Sequence, residues 1–143
     1  MWRLRAFVDL PAADRLLLMR ALCTAAVVRA ALWVMPFRSV RSLVARMGRR
    51  SHPLAGAPGG ERIAWAVRTS ARAVPGASCL TQALTAKALL SRRGLPADLR
   101  IGVAKDGDKL HAHAWVESGG RVLIGDHDLD RFTVLPPLDG ELS

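Results

Sequence analysis

The chain has 143 residues, half of them hydrophobic, with two cysteines and a net charge of +9. That is enough apolar material for one moderate core, which excludes a disordered chain, and too few cysteines for a disulfide framework. The charge is uneven: residues 1–75 carry thirteen Arg against Asp9, Asp14 and Glu61, whereas residues 76–143 are nearly balanced.

Residues 11–35 predict one long helix, with Asp9 as a cap, Pro11 in the first turn and Pro36 where the apolar pattern stops. Arg20 and Arg29 cut the run into apolar pieces of eight residues, well short of the roughly 18 that a membrane span needs. The two arginines point opposite ways, so the expectation is a mostly buried helix with arginines reaching out of the core. An interfacial membrane or partner-docking helix is the alternative. Residues 38–49 predict a second helix, with Val40, Leu43, Val44 and Met47 at helical spacing. Residues 51–60 read as a linker, with His52 an ordinary loop residue. Residues 61–74 return to helix through Ile63, Ala66, Val67 and Ala73. The expected division is a helical region over 1–60 and a core over 61–143, joined in one compact unit.

Pro75-Gly76-Ala77-Ser78 breaks the chain, and Ser78 is a good cap for a helix that begins at Cys79. Arg92, Arg93 and Gly94 end that helix, and Pro96 cannot continue it. Strands follow. Leu99, Ile101 and Val103 alternate, and Asp106-Gly107 marks a turn. Leu110 to Glu117 alternates again, Gly119-Gly120 supplies a second turn, and Phe132 to Leu135 offers a short last strand. Helices first and an antiparallel sheet second is an α+β order.

The chemistry concentrates in the second half. With Gly119-Gly120 as a type I′ turn, Ser118 faces Arg121, and strict pairing sets His113 opposite Asp126 and His111 opposite Asp128. Cys79 opens a helix, where exposed N–H groups and the positive dipole end favour an anionic sulfur and can receive an oxyanion. A nucleophilic cysteine needs an imidazole to take its proton and a group to fix that imidazole's tautomer. Cys79, His113 and Asp126 fill those roles in that order. Each alone has a duller explanation, as a small buried residue, a satisfied strand histidine or a turn residue. The conjunction carries the reading. The rival is a metal site from His111, His113 and the Asp126-His127-Asp128 run. It leaves Cys79 without a purpose, so neither metal nor cofactor is expected. Cys23, inside the long helix, reads as structural. Few aromatics and no nucleic-acid motif leave an anionic membrane or an acidic protein as what the basic half meets. No signal-peptide pattern follows Met1 to Arg5, and the cysteine usage fits a reducing compartment, so a cytoplasmic location is expected.

Ser78-Cys79-Leu80 at a helix start, Arg93-Gly94-Leu95, Leu99-Arg100-Ile101-Gly102-Val103, His113-Ala114-Trp115-Val116-Glu117 and Gly125-Asp126 together resemble the transglutaminase-like cysteine hydrolases. Within them the chain is most similar to the leader peptidases of lasso-peptide biosynthesis. That narrowing rests on Arg15 to Leu22 and Ala31 to Phe37, and the resemblance covers nearly the whole chain. It implies a transglutaminase/papain-like core, a Cys helix packed on a small antiparallel sheet that carries His and Asp. It also implies a cysteine peptidase that removes the leader from a ribosomal precursor through a thioester on Cys79. The partners implied are the precursor's leader peptide, a separate leader-recognition protein and an ATP-dependent macrolactam cyclase. Two alternatives stay open: an amide-forming acyltransferase of the same superfamily, and a non-catalytic scaffold using the basic helices. Gln82, one turn into the Cys helix, is a weak candidate for a side-chain oxyanion donor, and the role of His111 is open.

Overall fold

A computed structural model describes residues 2–49, 59–95, 97–126 and 129–135. Most of the expected linker with His52, together with Pro96, His127 and Asp128, lies outside the described residues. Among the described residues five helices come first: α1 (Trp2–Val8), α2 (Ala12–Val34), α3 (Phe37–Arg49), α4 (Gly60–Ala71) and α5 (Cys79–Arg92). Four strands follow: β1 (Asp98–Asp106), β2 (Lys109–Ser118), β3 (Arg121–Ile124) and β4 (Thr133–Val134), with a 3-10 turn at Leu129–Arg131 before β4. The sheet is antiparallel, in the order β3-β2-β1-β4. This is the α+β arrangement that the order of the sequence patterns predicts.

Helix α5 is the hub. Thr81, Ala83, Leu84, Thr85, Ala86, Ala88 and Leu90 are all buried, so it meets neighbours on nearly every side. It packs against α2, α3 and α4 and against the sheet, chiefly β2. Alternation along β2 explains the contact: Ala114 and Val116 join the helical core, while His113 and Trp115 face the other way. One apolar cluster runs from Leu17 and Val28 of α2 through Val40 and Val44 of α3 to Ile63, Leu84, Val116 and Ile124. Polar ties fix α2 on α4. Asp14 accepts from Arg62, and the Ser70 hydroxyl donates to the Leu18 carbonyl at 3.2 Å.

Helix α2 departs from expectation. Its N-cap is Pro11 with no side-chain bond, because Asp9 belongs to the end of the unforeseen helix α1. Its inward residues Leu17, Leu18, Ala21, Ala25 and Val28 are buried, yet Leu16, Met19, Val27, Trp33 and Val34 are exposed. Arg20 is exposed as expected, but Arg29 is half-buried. Arg29 folds back, its guanidinium 5.5 Å from the Trp33 ring and close against Gly76. Cys23 is exposed rather than a core residue.

Candidate active site

The break before α5 places the cysteine. Gly76 adopts φ +73, and the Arg29 guanidinium packs where a side chain would stand. Ser78 is extended and caps α5, its hydroxyl accepting from the Thr81 N–H at 3.3 Å. Cys79 is therefore the first helical residue. The N–H groups of Cys79 and Leu80 are those that helix geometry leaves without an intrahelical acceptor.

The turn at Gly119-Gly120 forms as the sequence predicts, with φ +60 and +82, and Ser118 pairs with Arg121. The strict register fails further on. Val116 pairs with Ile124 and Glu117 with Val122, so β3 carries one extra residue, Leu123. A bulge of this kind shifts all later pairings by one and bends the strand. Asp126 is consequently not level with His113. The ring reaches the neighbouring backbone: His113 Nε2 lies 2.8 Å from the Gly125 carbonyl oxygen. A carbonyl only accepts, so Nε2 carries the proton and the neutral ring keeps its lone pair on Nδ1. Gly125 has φ +84, and a Cβ there would stand 2.8 Å from the Ala114 carbonyl oxygen. Only glycine permits this close approach without moving backbone.

His113 is 6% exposed and lies between two rings. Trp115 stacks beside it at 5.9 Å between centroids, and Phe132 tilts against it at 5.2 Å. Trp115 is itself held. Its indole N–H donates to Glu117 at 3.1 Å, and Gly102 gives its ring room on β1, where a Cβ would come within 2.9 Å. Glu117 also lies 3.6 Å from Arg100. None of Gly102, Phe132 or Arg68 stands out as a site residue in the sequence, although an interior strand glycine is a signal of close approach.

These elements meet in one cleft of about 440 Å³, lined by Cys79, Gln82, His113, Leu123 to Asp126 and Arg68. The three residues expected to carry the chemistry thus share one cavity, and Gln82 joins them because positions three apart share a helix face. Arg68 crosses from α4, its Nη1 donating to the Leu123 carbonyl at 2.9 Å, and adds a positive charge to the wall. His111 is elsewhere. It pairs with Ala104 on β1, its side chain is 52% exposed, and its Nε2 lies 3.8 Å from Asp106. Among the described residues, no three His, Cys, Asp or Glu side chains stand close enough to hold a metal ion.

A cysteine at a helix start, an oriented imidazole and an antiparallel sheet behind them are the parts that cysteine-based acyl transfer uses. The family model of the transglutaminase-like superfamily matches residues 22–136, and the chain belongs to that superfamily. Its members are usually cysteine-based enzymes and include peptidases and acyltransferases. Comparison with curated proteins and with solved structures finds no match.

Proposed function

We propose that the protein is a cytoplasmic cysteine peptidase that removes the leader from a ribosomal lasso-peptide precursor. The observation that carries this is the cleft itself, where Cys79 at the start of α5 faces the same cavity as a histidine whose tautomer is set. His113 Nδ1 accepts the Cys79 thiol proton as sulfur attacks the scissile carbonyl carbon. The N–H groups at the start of α5, with the Gln82 amide, receive the oxyanion. As the C–N bond breaks, His113 returns the proton to the leaving amine, the new N-terminus of the core peptide. The leader's C-terminal acyl group remains as a thioester on Cys79. Water, deprotonated by His113, then attacks it, releasing the acid and restoring the thiol. Asp126 supports the imidazolium electrostatically from the same cleft wall. The freed amine would pass to a separate ATP-dependent cyclase, and a separate leader-recognition protein would deliver the substrate. The motif resemblance supports this substrate class.

The test is incubation of the purified protein with a lasso-type precursor and its leader-recognition protein, followed by mass spectrometry. Free leader acid and free core are expected, with none from Cys79→Ala. An added primary amine separates hydrolysis from transfer: a leader amide formed in preference to the acid would favour the acyltransferase reading. An intact precursor under all conditions would defeat both.

A further inference from the structure

The outer face of α2 is not absorbed by the cleft or by the core. Leu16, Arg20, Cys23, Val27, Ala30 and Val34 recur at steps of three and four, which keeps them on one side of a helix with Arg20 as its charged member. All six are exposed, and Trp33 and Val34 are each 80% exposed at the C-terminal end. From Cys23 to Val34 the apolar part of the strip runs about 17 Å at the helical rise. It continues onto α3 through exposed Leu43, beside an apolar groove between the two helices. Contiguous exposed apolar surface on this scale marks an interaction site.

Charge selects the occupant. Exposed Arg20 lies within the strip, and exposed Arg38 and Arg46 stand on the neighbouring α3. From residue 12 to residue 46 the single acidic side chain is Asp14, and Arg62 engages it. A second copy of the chain would bring like charge against like charge. Exposed Trp33 is an amphipathic side chain suited to the boundary between lipid headgroups and acyl chains. Helix α2 is long and apolar enough to cross a bilayer, but its inner face is committed to the core. Lying flat is the geometry left to it.

We propose that the outer face of α2 docks the protein on an anionic lipid bilayer, with Leu16, Val27, Trp33 and Val34 in the headgroup boundary and the arginines on phosphates. This surface lies apart from the cleft and does not depend on the reading of Cys79.

The experiment is co-sedimentation of the full chain with vesicles of phosphatidylcholine alone and of phosphatidylcholine mixed with phosphatidylglycerol. Val27→Glu is compared with Leu110→Glu, which makes the same charge change at an exposed leucine on the β1–β2 hairpin. Circular dichroism melts check that both remain folded. The protein is expected to pellet with the anionic vesicles only. Val27→Glu should weaken that binding roughly tenfold or more, and Leu110→Glu should leave it close to wild type. Equal binding to neutral vesicles, no binding to anionic ones, or equal losses in the two variants would overturn the proposal. So would a dimer in gel filtration that Val27→Glu disperses without any vesicle binding.

Discussion

His113 Nε2 lies 2.8 Å from the carbonyl oxygen of Gly125, so the backbone just before Asp126 helps to orient the ring. A side-chain substitution cannot remove that carbonyl. His113→Ala is therefore expected to lower kcat by orders of magnitude, whereas Asp126→Asn should keep measurable turnover, within about a hundredfold of wild type. Single-turnover rates on the precursor check this. If Asp126→Asn is as inactive as His113→Ala, the carboxylate and not the carbonyl sets the ring.

Gly102 should tolerate no side chain. A Cβ there would stand 2.9 Å from both the Trp115 ring and Phe132 Cβ, the two groups that flank His113. Gly102→Ala is expected to displace the indole and reduce kcat at least about tenfold, with a smaller loss in Tm. Unchanged kinetics would show that the rings do not position the imidazole.

Two substitutions on α5 separate capping from packing. Ser78→Ala removes the cap on Thr81 and should cost about 1 kcal/mol in chemical denaturation. Leu84→Ala removes a fully buried side chain and should cost about 2–5 kcal/mol. The reverse order of losses would mean that α5 is not the hub of the core.

Cys23→Ala should change stability by no more than about 0.5 kcal/mol, because the side chain is exposed on α2 and leaves no internal cavity. A loss of several kcal/mol in urea unfolding would put Cys23 back in the core.

Ser78, Gly94 and the Gly119-Gly120 pair were legible in the sequence because each obeys a local rule: a hydroxyl cap, a glycine stop and positive φ at both turn centres. The α+β order followed from the change of period near Pro75. What local rules do not carry is the bulge at Leu123, which shifts Asp126 off His113 by one residue. Nothing in the composition of Val122-Leu123-Ile124 marks it, since alternation and continuous apolar runs are both compatible with a strand. The exposed face of α2 was hidden for a related reason. A helix apolar on all sides predicts burial on all sides, and only the packing reveals that one side is exposed. The role of His111 was open in the sequence; the residue pairs with Ala104 and its Nε2 lies 3.8 Å from Asp106, a neighbour that strand pairing across the first turn brings near.

The central claim is that Cys79 and His113 act as one nucleophilic unit, and it can be tested without knowing the substrate. Cys23 is exposed and would be labelled too, so the measurement uses the Cys23→Ala protein, with iodoacetamide uptake at Cys79 followed by intact mass. Introducing His113→Ala is expected to slow alkylation at neutral pH by about tenfold or more, because the thiol loses its proton acceptor. Equal rates with and without His113 would contradict the account and leave Cys79 an ordinary thiol at a helix end.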